Sequence, residues 1–274
     1  MRKQFYLLAV VAAVLCACGG NEPTFDAPGA LKGEFSVSAS TKVHFSQGNL
    51  QYQASTSTWR FAENQYDMIG SDNSNISDTY TGWIDLFGWG TGNNPTQAST
   101  DVADYATFAD WGVNKISNGG NAANVWRTLT KDEWVYLFYG RTNAATLFGL
   151  GSVNGVNGTI LLPDNWTLPA GASFTASTTQ GLTDQGTYYN NSNGTNFSHN
   201  TYTAEQWSKM GSAGAVFLPA AGYRIGTDVI NVGSYGSYWS NFTDDAYGLY
   251  FEPDLLYPQI NYNRRSGISV RLVR

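Results

Sequence analysis

The chemistry-bearing residues of this 274-residue chain are few, and their spacing excludes more than it offers. There are two histidines: His44 sits in the alternating segment Lys42-Val43-His44-Phe45-Ser46, and His199 in an Asn/Ser/Thr loop. No Gly-x-Ser-x-Gly elbow accompanies them, so they make neither a hydrolytic triad nor a zinc spacing. Asp67, Asp85, Asp110, Asp132 and Glu133 are available for glycosidase-type acid–base work, which needs two carboxylates flanking a sugar bond, but nothing in the sequence marks one pair out. Gly88-Trp89-Gly90-Thr91-Gly92 imitates a phosphate loop, yet no helix pattern follows it and no Lys-Ser/Thr pair completes it. Asp72-Asn73-Ser74-Asn75 and Asp244-Asp245 supply hard oxygens for calcium, although no EF-hand loop is present and acids that cap turns are the commoner reading. Calcium is kept as a candidate; no other cofactor is expected.

The richer chemistry is non-covalent and lies in residues 231–274. Over 246–252 a period of two puts Tyr247, Leu249 and Phe251 on one face and Gly248, Tyr250 and Glu252 on the other, so one face is expected to pack and the other to face out. Residues 254–265 then crowd Tyr257, Gln259, Asn261, Tyr262, Asn263 and two arginines together. Large amphipathic rings with few torsions, mixed with short hydrogen-bonding side chains, are what adaptable binding surfaces are made of. The ordinary alternative is a Tyr/Asn-rich sheet exterior that binds nothing.

The elements that must hold this segment come after an export signature. Met1-Arg2-Lys3 is a basic start, Phe5 to Leu15 an apolar run too short to span and stay in a bilayer, and Leu15-Cys16-Ala17-Cys18 resembles a bacterial lipobox. Cleavage before Cys18 and lipid on its thiol are expected, giving a signal over 1–17, a lipidated tether over 18–32 and a domain over 33–274. The expected localisation is the outer membrane, lipid-anchored and exposed at the cell surface. Both cysteines lie in the export segment, so the mature domain is expected to have neither thiol nor disulfide and to rest on its core. With 9 Trp, 17 Tyr and 14 Phe the chain has large side chains enough to build one. The net charge of −6 argues against nucleic acid or anionic headgroups as partners.

Four short alternating segments, 35–38, 42–46, 49–52 and 58–61, read as antiparallel strands. From 70 to 125 the strand signal gives way to Asn/Gly/Ser/Thr loops studded with Tyr80, Trp83, Phe87, Trp89, Tyr105, Phe108 and Trp111, which predicts long loops pinned by buried rings. A helix is predicted over 131–139, with Thr130 and Glu133 as a capping box and Gly140 as its stop. A second is predicted over 204–210, boxed by Thr203 and Gln206, with Gly211 behind it. Residues 216–224 return to sheet. The fold class is α+β, with short antiparallel strands, two short helices and long loops.

Val125-Trp126-Arg127-Thr128-Leu129-Thr130-Lys131-Asp132-Glu133-Trp134 resembles the R-L-P-T-x-x-E-W helix entry of the formylglycine-generating-enzyme type of C-type lectin fold, with Thr128 and Leu129 where that pattern has Leu-Pro. Residues 217–224, 236–240 and 267–274 are similar to further blocks of the same fold. They are closer still to a paralogous group of Bacteroidetes lipoproteins and to the variable proteins diversified by retroelements. The resemblance implies a carboxy-terminal ligand-binding face on an invariant scaffold. The scaffold would be Tyr238, Trp239, Ala246, Leu249, Phe251, Pro258, Arg264, Gly267 and Val270. The face would be Ser237, Phe242, Asp244, Asp245, Gly248, Tyr250, Glu252, Asp254, Tyr257, Gln259, Ile260, Asn261, Tyr262 and Arg265. Several of these residues are ones that adenine-directed mutagenesis of Asn codons produces, whereas Glu252 and Gln259 are not, so a diversified copy and a static relative both stay open.

The enzymes of this fold work through cysteine thiols that bind copper, and the expected mature chain has none. The first expectation is therefore a non-enzymatic surface protein that binds a protein or glycan on another cell or surface. The rivals are a carbohydrate-active hydrolase with a carboxylate pair and a fimbrial or stalk component. Arg264, Arg265, Arg271 and Arg274 are expected to tie strands and loops together through carboxylates such as Asp244 or Asp245.

Overall fold

A computed structural model describes residues 27–177, 179–182, 188–190, 197–253 and 255–274, so Cys16, Cys18, the export segment and Asp254 lie outside the described residues. The architecture is mixed α+β, built from small sheets with few short helices. In chain order come β1 (Phe35–Ser36), β2 (Lys42–Val43), β3 (Leu50–Gln53), β4 (Thr58–Phe61), β5 (Arg127–Thr128) and α1 (Lys131–Val135). Then follow β6 (Phe148–Val153), β7 (Val156–Leu161), β8 (Thr179–Leu182), β9 (Tyr188–Asn190), β10 (Thr201–Tyr202), α2 (Ala204–Ser212) and β11 (Val216–Pro219). The chain ends with β12 (Tyr223–Ile225), β13 (Asp228–Ile230), β14 (Gly236–Trp239), β15 (Tyr247–Glu252), β16 (Leu255–Asn261), β17 (Ser266–Gly267) and β18 (Leu272–Val273).

The largest sheet has five strands in the order β14-β15-β16-β9-β8, and a four-stranded sheet runs β10-β6-β7-β11. The four amino-terminal strands form two antiparallel pairs, β1 with β2 and β3 with β4. Pairing is antiparallel throughout the named strands except between β10 and β6. Residues just before 33 also contact the fold. Leu31 N–H donates to Phe45 at 2.8 Å and Gln47 N–H to Gly29 at 2.7 Å, and the Leu31 side chain packs on the core. An apolar Leu31 gains more by packing on this core than by staying in water, which draws this part of the chain onto the fold.

Both capping boxes form. Thr130 accepts from Glu133 N–H at 3.2 Å while Glu133 accepts from Thr130 N–H at 2.8 Å, and Thr203 with Gln206 repeats the pattern. The α-helical part of α1 stops at Val135, and Tyr136–Gly140 continue as a wider π-type turn closed by Arg141 N–H on the Tyr136 carbonyl at 3.0 Å. The second helix runs past Gly211 to Ser212. Gly211 lies inside the helix with its bare Cα close to the Gln65 amide, and the chain turns instead at Gly214, whose φ is +103°.

The β14–β15–β16 ribbon separates two hydrophobic clusters. Tyr238, Leu249, Phe251 and Leu256 point into one, with Phe35, Phe45, Trp134 and Phe138. Trp239 points into the other, with Trp59, Phe87, Trp89, Trp111, Trp126 and Ile268. Successive side chains on a strand point to opposite faces, so the Tyr238-Trp239 pair feeds two cores at once. The buried hydroxyl of Tyr238 donates to the Pro219 carbonyl at 2.8 Å, and the indole N–H of Trp239 to the Phe87 carbonyl at 2.6 Å. The rings of the 70–125 region thus hold down long loops, as predicted. A third cluster packs α2, through Trp207 and Met210, on β6, β7 and β11.

Arg264, Arg265 and Arg271 tie loops together, but through carbonyls and amides rather than the carboxylates expected for them. Arg264 donates to the Asp244 main-chain carbonyl at 2.8 Å and lies over Trp89 at 4.2 Å, and Arg265 reaches the Thr100 carbonyl at 2.9 Å. Fully buried Arg271 donates to the side-chain oxygens of Asn49 and Gln65 at 3.4 and 3.3 Å. Arg224, also fully buried, bonds the carbonyls of Leu86, Gly226 and Gln97, and burial pulls its pKa down to about 10. Loop carbonyls that no strand satisfies need donors, and a guanidinium serves several at once. Gly267 is required beside it, because a Cβ there would overlap the Arg224 side chain.

Candidate functional site

The carboxy-terminal sheet presents a row of tyrosines. Ser237 pairs with Tyr250 and Tyr250 with Tyr257, so these three share the sheet face opposite Tyr238, Leu249 and Phe251. The Tyr250 ring meets Tyr235 edge-on at 5.4 Å and lies 6.1 Å from Tyr257 at 33°. Its hydroxyl donates to Glu252 Oε2 at 2.9 Å. Partial burial, and then the neighbouring Glu252 charge, raise the Tyr250 pKa, which keeps the phenol a donor. Tyr235, Tyr250, Glu252 and Tyr257 are all half-buried, with ring surface left for a ligand.

A second patch forms where α1 meets this sheet. Phe242 and Tyr247 meet edge-on at 5.4 Å, and the Lys131 ammonium lies over both rings, at 4.2 and 4.7 Å. Asp245 accepts from Asn261 at 2.6 Å and from Ala246 N–H at 2.8 Å, while Asp244 and Asn261 are exposed beside it. Tyr247 was predicted to pack with Leu249 and Phe251. It is only half-buried, because its ring leans on Phe242 and Lys131 rather than into the core.

Three residues predicted for the face do not belong to its open part. Ser237 is 1% exposed and Gly248 is buried. A Cβ at Gly248 would overlap the Tyr238 carbonyl and meet the Tyr262 ring, so backbone packing excludes any side chain there. Tyr262 touches both. Its ring folds back over Gly248, meets Trp239 edge-on at 5.5 Å, and its hydroxyl donates to Ser237 Oγ at 3.0 Å. Burial raises the Tyr262 pKa, so this hydroxyl too stays a donor. The expectation that one face packs and the other faces out therefore fails at the β14 end, where Trp239, Gly248 and Tyr262 cover the second face. Phe242, Asp244, Asp245, Tyr250, Glu252, Tyr257, Gln259, Ile260, Asn261 and Arg265 remain exposed or half-buried, and Asp254 lies outside the described residues.

Sequence reasoning missed Lys131, read only as a helix start, and Tyr235, which sits within the segment but outside its strand pattern. Both are legible only through contacts between elements. Of the calcium candidates, Asn73 is buried: its amide donates to Asp85 at 2.8 Å and its carbonyl accepts from Asp85 N–H and Leu86 N–H. Among the described residues no three His, Cys, Asp or Glu side chains gather as metal ligands. His44 Nδ1 lies 3.0 Å from the Gly33 carbonyl, and His199 is exposed. Asp85 is fully buried, and burial lifts its pKa to about 6 although Asn73 and Ile69 N–H donate to it. Asp110 is taken up by Gly112, Thr128 and Asn241, and Glu133 by Arg127 at 2.6 and 2.7 Å. These carboxylates hold structure together. Among the described residues no helix is long and apolar enough to cross a membrane.

Compared with protein-family models, with curated proteins and with solved structures, the chain matches none.

Proposed function

We propose that this is a non-enzymatic binding protein of C-type-lectin-like fold, lipid-anchored through Cys18 in the outer membrane and exposed at the cell surface. Its ligand is a protein or glycan on another cell or surface. The observation that carries the reading is the half-exposed aromatic surface of the carboxy-terminal sheet, Tyr235, Tyr250 and Tyr257 together with Phe242 and Tyr247 under Lys131. Rigid rings offer contact area at low conformational cost, and the flanking Asn261, Asp244 and Asp245 offer adaptable polar contacts. The two capping boxes, the buried Trp134 and the Arg127–Glu133 pair at the helix entry support the fold reading.

The test is a screen of arrayed glycans and surface proteins with the purified protein and with a Tyr250→Ala/Tyr257→Ala variant. Specific capture by the parent that the folded variant loses is the expected result. Equal capture by both would remove the sheet face from the site.

A further inference from the structure

A cleft of about 510 Å³, lined by no residue of the carboxy-terminal face, opens between β3, β4, the segment 63–69 and the β6–β7 turn. That volume lies within the range of about 300–1,000 Å³ usual for small-ligand sites. Its walls carry Gln51, Arg60, Glu63, Asp67 and Asn154, with Tyr66 beside them and Met68 in the lining. Arg60 is held rigidly: Nε donates to Gln51 Oε1 at 2.9 Å, the guanidinium stacks on Trp83 at 3.7 Å, and Gln51 itself is 2% exposed. Among the described residues no carboxylate lies within ion-pair distance of Arg60, although Glu63 and Asp67 line the same cleft. Asp67 is fixed by Asn64 N–H at 2.8 Å, and the wall at Ile69 is fixed through its N–H to buried Asp85 at 2.9 Å. Asn154 and Gly155 form the β6–β7 turn, with φ of +50° and +79°.

We infer that this cleft is a second binding site, for a neutral saccharide. One guanidinium and two carboxylates in the same lining mean that a simple anion meets Glu63 and Asp67 unfavourably while a simple cation leaves Arg60 without an acceptor. A ligand that satisfies Arg60 as an acceptor and Glu63 and Asp67 as a donor must offer both roles from neighbouring atoms, and vicinal sugar hydroxyls do so. Planar guanidinium, carboxylate and amide groups take such hydroxyls in pairs, and the Tyr66 ring can cover a pyranose C–H face. The positions of Gln51 and Trp83 mean that Arg60 needs no reordering to bind, which lowers the entropic cost of a contact by a long side chain.

The experiment titrates the full chain, methyl-13C-labelled at methionine, with glucose, galactose, mannose, N-acetylglucosamine and their disaccharides, and with glucuronate and glycine as charged controls. Met68 lines the cleft and Met210 is fully buried against Trp207, so their methyl signals report the site and the fold separately. A neutral sugar is expected to shift the Met68 methyl saturably and leave Met210 in place. Arg60→Met and Glu63→Gln, each with an unmoved Met210 signal, should weaken that sugar by about tenfold or more. Tyr250→Ala should leave its affinity unchanged, which separates this site from the sheet face. The inference is overturned if no neutral sugar moves Met68, if glucuronate or glycine binds more tightly than any of them, or if both cleft variants keep wild-type affinity.

Discussion

Replacing Tyr262 by Ala separates scaffold from face more sharply than any other change. The Tyr262 ring is half-buried against Trp239 and over Gly248, so on the order of 100 Å² of aromatic surface is removed from water, and that burial stabilises by about 2.5 kcal/mol. Its hydrogen bond to Ser237 Oγ adds about 1 kcal/mol. Tyr262→Ala should therefore cost about 3.5 kcal/mol. Tyr262→Phe should cost about 1–2 kcal/mol, because it leaves the Ser237 hydroxyl buried without its donor. Tyr250→Ala removes a ring whose bond to Glu252 is solvent-screened and should stay within about 1 kcal/mol. Urea midpoints at constant m-value read these differences directly, and thermal melts should fall by about 7–14 °C for Tyr262→Ala. If Tyr262→Ala unfolds at the same midpoint as Tyr250→Ala, the ring is a face residue and the covering of Gly248 and Ser237 is wrong.

Trp239→Ala and Phe251→Ala should each lower stability by about 3–5 kcal/mol in the same urea series, since each empties part of a different core. Gly248→Ala should cost about 1–3 kcal/mol by forcing the new methyl against the Tyr238 carbonyl, and a variant as stable as the parent would refute the close approach. The Asp85 carboxyl, lifted from 3.8 to about 6 by burial, binds its proton more tightly in the folded protein than in the unfolded chain. Its contribution, about 3 kcal/mol, is complete below pH 3.8 and lost as pH rises through 6. Against Asp85→Asn, the parent should therefore lose stability between pH 4 and 7, and parallel pH profiles would contradict this. Cells fed radioactive palmitate should label the protein at Cys18, and Cys18→Ala should release it; retention of the variant at the membrane would end the lipid-anchor proposal.

What the sequence discloses here depends on how local the responsible physics is. A capping box is complete within four residues, so Thr130 with Glu133 and Thr203 with Gln206 are legible before any fold is known. The amino-terminal strand pairs are legible for the same reason, as each alternating segment meets its neighbour across a short turn. The site is legible only in part, because period-two alternation assigns faces without saying what covers them. Trp239 and Gly248 lie on the face that alternation leaves open, and that face is closed by a ring from residue 262, which the chain brings back past an irregular register between β15 and β16. Arg264 and Arg265 mislead for a related reason: pairing by charge predicts carboxylate partners, whereas loops leave carbonyls that need donors, and these two arginines go to those of Asp244 and Thr100. The cleft is the least legible feature, since Arg60 reads as one position in an alternating strand, Glu63 and Asp67 as turn acids, and Asn154 as half of a hairpin turn. Only the fold brings a braced Arg60 and two carboxylates that do not pair with it into one lining, and that arrangement, rather than any motif, is what asks for a ligand.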